Sequence, residues 1–195
     1  GIAYALLRLA RADLAPPGRD PRGEPVELSA VVEEVVRTHA PAAGRAQLTL
    51  TGPPAGGAPV RVEVDSAALA GALSTLVANA IRYTEPGGAV EISLSRPDSE
   101  WVVVTVDDAG PGLDPGETET IFAPFTRGVQ GRALDAQTPT NAGLGLGLAI
   151  ARRLIEAHGG RVRAETRAPR GARFVVELPC VAADGREPDL SAVSG

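Results

Sequence analysis

Two β-rich runs, residues 89–95 and 101–106, are separated by only five residues and joined by the segment Arg96-Pro97-Asp98-Ser99. Pro, Asp and Ser are common turn residues, so the two runs are predicted to pair as an antiparallel hairpin. Segments with the apolar spacing of helices lie on both sides of this hairpin. This mixed order predicts an α+β fold, a two-layer sandwich in which about three helices cover one face of a mixed, mostly antiparallel sheet.

The remaining predicted elements follow from apolar spacing and from residues that start or end helices. Helices are expected at 29–40, 65–83 and 146–158, and further strands at 47–51, 60–64, 161–166 and 173–178. Ser29 is the predicted N-cap of the first helix. Residues 113–142 show neither helical nor strand spacing, and a stretch of this length inside a domain is usually a lid or a binding loop.

The 195 residues suffice for one ordinary domain with flanking segments, and residues 26–180 form the predicted domain. Residues 1–14 carry a short helical stripe, 15–25 a Pro/Gly/Arg linker, and 181–195 a frayed tail. No apolar run approaches the ~20 residues needed to span a bilayer. The first residues also lack the features of a signal peptide, so a soluble domain is expected.

Composition excludes several classes of function. The net charge of −5 disfavours a nucleic-acid binder that works through bulk electrostatics. One cysteine, Cys180, excludes an internal disulfide, and two histidines, His39 and His158, disfavour a histidine-rich metal centre. All 19 basic residues are Arg, so a lysine-dependent P-loop is excluded. The Arg-rich stretch 161–173 is expected to be a solvated sheet edge.

The predicted helix 65–83 carries a polar stripe beside its apolar one. Thr75, Asn79, Arg82 and Tyr83 stand at i, i+4, i+7 and i+8, which places them on one side of the helix. A carboxamide oxygen suits Mg²⁺ that is already mostly ligated by phosphates and water. Asn79 is four residues from the helix end, where Asn has no capping role; the alternative is an ordinary surface Asn.

The second strand of the hairpin leads into Asp107-Asp108-Ala109-Gly110-Pro111-Gly112. A carboxylate at a strand end, followed by glycines, allows a flat ring to approach the backbone closely. An ionised Asp only accepts hydrogen bonds, so it suits the exocyclic amine of adenine and repels the O6 acceptor of guanine. The alternative is a tight turn without a ligand, for which the same residues are well suited.

A third motif, Gly143-Leu144-Gly145-Leu146-Gly147, leads into the last predicted helix. Alternating glycines free backbone N–H groups to point at one anion, and the helix N-terminus adds its dipole. The alternative is a helix start without a ligand, since many helices follow glycine-rich loops. The motif follows a long loop rather than a strand, so the dinucleotide-binding fingerprint does not apply.

In this order and spacing, the motifs resemble the nucleotide-binding domain of bacterial two-component sensor histidine kinases. That domain has a Bergerat-type fold, shared with gyrase-type topoisomerases and the 90-kDa heat-shock chaperones, and the resemblance covers about residues 24–180. Residues 76–84 look like the N box, 108–112 like the first glycine box, 121–125 like the phenylalanine box of the lid, and 143–147 like the second glycine box. The turn His158-Gly159-Gly160 and the strand 174–179 are also similar to histidine-kinase sequences.

The resemblance implies ATP and Mg²⁺ as cofactors. It implies that Asn79 coordinates Mg²⁺ and thereby serves catalysis, and that Asp108 recognises adenine. Arg82 would contact the phosphates, Tyr83 would pack near the ribose and phosphates, and Arg127 could approach the triphosphate from the lid. The whole implied nucleotide-binding set comprises Asn79, Arg82, Tyr83, Asp108, Gly110, Gly112, Arg127, Gly143, Leu144, Gly145, Leu146 and Gly147.

Three positions depart from the family pattern. Thr75 stands where the kinases usually have a first Asn, Arg82 replaces the usual Lys, and Ala172 replaces a hydroxyl residue that often supports the adenine pocket. Arg82 keeps the charge but changes its geometry. The ATP-hydrolysing branches of the superfamily carry a Glu at the position of Thr75, and Thr cannot act as a general base at neutral pH. This difference favours phosphotransfer to a histidine.

The implied function is donation of the γ-phosphoryl group of ATP to a histidine on a dimerisation domain outside this chain, for relay to a response-regulator aspartate. Residues 1–14 then look like the end of a dimerisation helix. His39 is expected to be a surface histidine near a helix end rather than the acceptor. A monomeric, cytoplasmic fragment of a membrane-anchored parent is expected. Two alternatives stay open: an ATP-hydrolysing or ATP-gated switch of the same superfamily, and a degenerate nucleotide-binding scaffold.

Overall fold

A computed structural model describes residues 25–54, 59–114, 116–126, 128 and 144–181. In chain order its elements are β1 (Pro25–Glu27), α1 (Leu28–Arg45), β2 (Thr49–Thr51), β3 (Arg61–Glu63), α2 (Ser66–Tyr83), β4 (Ala89–Ser95), β5 (Trp101–Asp108), α3 (Glu117–Thr120), α4 (Gly147–Glu156), β6 (Arg161–Thr166) and β7 (Ala172–Pro179). The predicted helix 1–14, the linker up to residue 24 and the tail from residue 182 lie outside the described residues. Within the described part, none of the helices combines the length and apolar character needed to cross a membrane.

Five strands form the main sheet in the order β2-β4-β5-β7-β6. β2 runs parallel to β4, and the other three neighbouring pairs are antiparallel. The predicted hairpin joins β4 to β5, and in its turn Asp98 Oδ1 accepts hydrogen bonds from the backbone N–H groups of Glu100 and Trp101. The mixed, mostly antiparallel sheet expected from the sequence is therefore confirmed.

A second, two-stranded antiparallel sheet pairs β1 with β3. The sequence predicts a strand at 60–64 but not its separation from the main sheet. A single β-bridge between Val62 and Cys180 ties this small sheet to the chain just beyond β7. Cys180 is half-buried at that junction.

The core lies between the main sheet and the three longer helices, α1, α2 and α4. Val102, Val104 and Val106 of β5 are completely buried on the helix side, whereas Val103 and Thr105, which alternate with them, are only half-buried. This alternation is the period-2 pattern of a sheet that packs on one face. The α2 residues that enter the core are Ala68, Leu69, Ala72, Leu73, Leu76, Val77 and Ala80. The predicted two-layer sandwich is confirmed.

The first helix differs from its predicted bounds at both ends. Glu27, not Ser29, occupies the N-cap position of α1, and the Ser29 hydroxyl donates a hydrogen bond to the Glu27 carboxylate. α1 also continues past Pro41 to Arg45 instead of ending at residue 40. Pro41 removes one backbone donor from the helix, but the last turn buries Ala43 in the domain, so tertiary packing outweighs that loss.

In its described residues, the stretch 113–142, predicted to show neither helical nor strand spacing, contains the helical turn α3, so this part of the prediction is wrong. Gly116 precedes α3 in a left-handed conformation. Ile121 and Phe122, directly after it, are buried, and the Phe122 ring packs edge-on against Phe174 at 6.3 Å between centroids. These apolar contacts hold the residues that directly follow α3 against the core.

The last helix, α4, ends two residues earlier than predicted, at Glu156. His158 follows it as a buried residue, with Nδ1 2.7 Å from the carbonyl oxygen of Leu154. Because a carbonyl only accepts, Nδ1 carries the hydrogen and satisfies one of the open carbonyls at the helix end. Gly159 then reverses the chain with φ +75°. His158 therefore lies at the C-terminal end of the helix, as expected.

Candidate functional site

The C-terminal half of α2 presents the polar stripe that the sequence predicts. Asp65 starts this helix as its N-cap, with Oδ1 accepting hydrogen bonds from two backbone N–H groups of the first turn. Asn79, Arg82 and Tyr83 are half-buried at its other end. The Arg82 guanidinium lies 5.8 Å from the centre of the Tyr83 ring. Within the described part of the chain, nothing hydrogen-bonds to the Asn79 carboxamide, so its oxygen is available to a ligand.

Thr75, the first member of the stripe, has a packing role. Its hydroxyl donates to the carbonyl oxygen of Gly71 at 3.0 Å, within the same helix. Its methyl group faces the start of α4, where a Cβ on Gly147 would lie 3.1 Å from Thr75 Cγ2. Thr75 and Gly147 therefore allow α2 and α4 to approach closely. A neutral hydroxyl is too weakly basic to act as a general base at neutral pH, and this one is hydrogen-bonded within its own helix.

Asp108 ends β5 with its side chain on the helix-covered face of the sheet. The residue is only 3% exposed, and its Oδ1 accepts hydrogen bonds from the backbone N–H groups of Gly110, at 2.9 Å, and Ala172, at 3.0 Å. Neither bond uses Oδ2. One carboxylate oxygen thus stabilises the tight turn that these residues also predict. The second oxygen is left for a ligand donor.

Burial raises the pKa of the Asp108 carboxyl above its ordinary value. The hydrogen bonds from Ala172 and Gly110 and the positive charge of Arg167 act in the opposite direction and offset part of the shift. The charge of the adjacent Asp107 adds to the rise. Asp108 is therefore a desolvated carboxylate, which gains more from a donor ligand than an exposed one would.

The first glycine motif packs directly against the end of α2. A Cβ on Gly110 would lie 2.8 Å from the carbonyl oxygen of Tyr83 and 2.9 Å from Asp108 Oδ1, too close for any side chain. Gly112 lies against the β6–β7 loop, where a Cβ would stand 3.0 Å from the carbonyl oxygen of Gly171. These contacts bring the predicted N box and first glycine box into one location.

The second glycine motif meets the phenylalanine motif. Gly145 has φ +70°, and its carbonyl oxygen accepts a hydrogen bond from the backbone N–H of Phe125 at 2.9 Å. A Cβ on Gly145 would lie 2.8 Å from the carbonyl oxygen of Thr126, so only glycine fits. Leu144 is exposed, and Leu146 is half-buried as the residue before α4. Gly143 and Arg127, both predicted site residues, lie outside the described residues.

Sequence reasoning missed one pair of residues beside the site. Arg173 in β7 donates from Nε and Nη2 to the two oxygens of Asp107, each at 2.7 Å. β6 is indeed an edge strand, but the expectation that all of 161–173 is a solvated edge is wrong for Arg173, because β7 lies inside the sheet. Only the pairing of β5 with β7 reveals this contact, and local sequence does not carry that information.

The site offers few protein ligands for a divalent cation. Among the described residues, no group of three or more His, Cys, Asp or Glu side chains is placed to hold a metal ion. The donor chemistry of Asn79, one neutral carboxamide oxygen, fits Mg²⁺ that keeps phosphate and water ligands. The residues present are therefore compatible with a magnesium–nucleotide complex and not with a protein-only cage.

Comparison with known protein families decides the assignment. The sequence model of the family described as "Histidine kinase-, DNA gyrase B-, and HSP90-like ATPase" matches residues 64–182. The chain belongs to this family. The match begins just before α2 and includes the motif of Asn79, that of Asp108 and the second glycine motif, so the family and fold expected from the sequence are confirmed.

Individual relatives point to the histidine-kinase branch. The adaptive-response sensory kinase SasA of Prochlorococcus marinus (strain MIT 9303) is 34% identical over 127 residues, which cover 65% of this chain and 33% of SasA. The mycobacterial sensor histidine kinase MprB has a solved structure with a TM-score of 0.66 and 26% identity, covering 81% of this chain and 97% of that one. Full-length ShkA in complex with AMPPNP gives a TM-score of 0.72 at 27% identity, covering 92% of this chain and 35% of ShkA. The chain thus spans about a third of the curated relatives that it resembles.

Proposed function

We propose that this domain binds Mg-ATP and donates the γ-phosphoryl group to a histidine on a dimerisation domain outside the chain. The observation that carries the proposal is the environment of Asp108, a buried carboxylate held through one oxygen with the other oxygen uncommitted. Family membership and relatives named as sensor histidine kinases support the same activity.

Asp108 would recognise the adenine base. Its Oδ2 would accept a hydrogen bond from the exocyclic amine, and Gly110 leaves the backbone beside it uncovered. In this desolvated position a charge-assisted hydrogen bond is worth more than in water. The O6 acceptor of guanine would face the same carboxylate oxygen, so the domain should prefer adenine nucleotides.

The triphosphate would lie between the end of α2 and the start of α4. The first backbone N–H groups of α4 have no partner within the helix, and with those of the glycine motif they would donate to phosphate oxygens. Arg82 would add positive charge from α2, and Asn79 Oδ1 would ligate Mg²⁺, which would neutralise charge that develops on the phosphates. The backbone N–H of Gly143 and the guanidinium of Arg127 would also approach the triphosphate.

No residue of this domain is assigned as a general base. The Thr75 hydroxyl is bonded to its own helix, which argues against water activation and hence against the hydrolase alternative. His39 lies in the interior of α1, six residues before the helix ends, and not near a helix end as expected. It belongs to the domain that would hold the nucleotide, and we place the phosphoryl acceptor on a separate domain.

The organisation around this domain is part of the proposal. Residues 1–14 would end a dimerisation helix, 15–25 would link it to the catalytic domain at 26–180, and 181–195 would be a tail. The partners would be the dimerisation domain and the receiver domain of a response regulator. The parent protein would be a membrane-anchored sensor with this part in the cytoplasm, and the fragment alone would be a monomer.

Incubation with γ-labelled ATP and Mg²⁺ tests the proposal, with and without a separate protein that carries dimerisation helices and their histidine. Acid-labile label on the added protein alone is the expected result. Label on this chain would instead point to His39, and release of free phosphate without an acceptor would favour a hydrolase. Tight ATP binding without any turnover would favour a nucleotide-binding scaffold.

A further inference from the structure

Asp107 and Asp108 are adjacent in the chain but lie on opposite faces of the main sheet. Asp108 is on the face covered by helices, where it follows Val102, Val104 and Val106 in alternation. Asp107 is on the outer face, directly opposite Arg173 in the β5–β7 register. Contacts that hold Asp107 in place therefore also hold the end of β5, which carries Asp108.

Asp107 is held by two arginines. Arg173 contacts both carboxylate oxygens at 2.7 Å, and Arg167 Nε lies 3.6 Å from Oδ2. The Asp107 side chain is 7% exposed, whereas that of Arg173 is 39% exposed. A bidentate guanidinium–carboxylate pair fixes both distance and orientation, and a partly buried carboxylate that loses its partner is destabilised.

β7 also supplies one of the two hydrogen bonds that orient Asp108. The donor is the N–H of Ala172, the residue next to Arg173. Ala172 has no side-chain donor of its own, so Asp108 depends on the backbone position of β7. The two backbones touch at this point, since a Cβ on Gly171 would lie 2.0 Å from the carbonyl oxygen of Asp108. A small shift of β7 would move the donor away from Asp108.

We propose that Asp107 and Arg173 are positioning residues for the base-recognition carboxylate Asp108 and help to determine the preference for adenine over guanine nucleotides. The inference rests on the function proposed above. The pair acts from the outer face of the sheet, without touching the nucleotide, by holding the ends of β5 and β7 in register.

The pair also has an electrostatic effect. The charged groups that act on the Asp108 carboxyl are Arg167, from the β6–β7 loop, and Asp107, from its own strand. Arg173 neutralises Asp107. Without Arg173, the negative charge of Asp107 would disfavour the ionised form of Asp108 more strongly, so a higher pH would be needed to make Asp108 an acceptor.

Substitution Arg173→Gln in the full chain tests the proposal by calorimetry with Mg-ATP and Mg-GTP over a range of pH. The expected result is ATP binding weaker by about tenfold, as for one disturbed hydrogen bond, with GTP binding little changed. The pH at which ATP affinity is half-maximal should also rise. Arg163→Gln is the matched control, because Arg163 lies on the same face and pairs with Glu165 and Glu177 without contacting Asp107.

Two further variants separate the contributions and guard against a folding defect. Arg173→Lys should restore the pH midpoint, because the charge is kept, but only part of the ATP-over-GTP preference, because the bidentate geometry is lost. Asp107→Asn should lower the preference without raising the pH midpoint. If wild-type protein binds ATP and all three variants keep its selectivity and pH midpoint, the positioning role is refuted. If wild-type protein itself does not bind ATP, the proposed function fails instead.

Discussion

Replacement of Asp108 by Asn changes one atom at the centre of the proposed base-recognition site. Asn keeps the oxygen that accepts the hydrogen bonds from Gly110 and Ala172, so the turn and the contact with β7 should persist. The uncommitted Oδ2 becomes an NH₂ group, which donates where the carboxylate accepts. The substitution therefore removes ligand recognition while it preserves the local fold.

The expected loss of ATP affinity follows from this geometry. One charge-assisted hydrogen bond to the adenine amine is lost, and such bonds contribute about 1.5–3 kcal/mol. The dissociation constant of Mg-ATP should therefore rise about 10- to 150-fold. Guanine nucleotides should not lose affinity, because the new NH₂ group can donate to O6. The preference for ATP over GTP should narrow accordingly.

Calorimetry with both nucleotides at neutral pH measures this effect, and urea unfolding without nucleotide provides the stability control. Burial raises the pKa of Asp108 in the folded state, so the native protein binds more protons than the unfolded chain between the ordinary and the raised pKa. The stability of wild-type protein should fall as pH rises through that window. Asp108→Asn has no such group, so its stability relative to wild type should increase over the same range and then level off.

Unchanged ATP affinity in Asp108→Asn would remove this residue from the site. A loss of ATP and GTP affinity together, with lower stability at every pH, would show that Asp108 serves only the turn. The combination expected here is weaker ATP binding in a variant at least as stable as wild type at neutral pH. A merely structural carboxylate does not produce this combination.

Three further predictions concern other parts of the domain. Asn79→Ala should abolish the Mg²⁺ dependence of ATP binding in calorimetry, and a retained dependence would require another metal ligand. Gly145→Ala should lower stability by about 1–3 kcal/mol in thermal unfolding, because φ is +70° and the new Cβ meets backbone atoms. Leu76→Ala, at a completely buried position, should cost about 2–5 kcal/mol in urea unfolding without a specific change in nucleotide preference.

The elements with the strongest apolar periodicity could be predicted from sequence alone. The core positions of α2 recur at helical spacing from Ala68 to Ala80, and Asp65 marks the start of this helix as its cap. The end of α1 could not be predicted in this way, because Pro41 locally opposes a helix that the burial of Ala43 maintains. Helix propensity therefore gave the wrong end of α1, because packing between elements determines where this helix stops.

Apart from the pairing of β4 with β5, the neighbours of the strands could not be predicted from the sequence. Periodicity finds β3 and β7 but does not show that β3 joins a separate sheet or that β7 lies between β5 and β6. The consequence for the site is direct, because the pairing of β5 with β7 brings Arg173 to Asp107 and the Ala172 N–H to Asp108. The missing hydroxyl at Ala172 looked like a weakness of the adenine pocket, yet the backbone of the same residue supplies a hydrogen bond.

Two separate reasons account for glycine at the positions of the two motifs, namely ligand approach and close packing between elements. Each was predicted to let a nucleotide approach the backbone, but Gly110 also touches the end of α2, Gly147 touches Thr75, and Gly145 touches the segment at Phe125. A substitution at any of these glycines would disturb packing between elements as well as ligand contacts, so lost ATP binding there would not identify the cause. The substitution Asp108→Asn keeps the oxygen that accepts from Gly110 and Ala172, so it leaves the contact with β7 in place. Base preference at Asp108 and Mg²⁺ dependence at Asn79 are therefore the measurements that separate nucleotide recognition from the integrity of the fold.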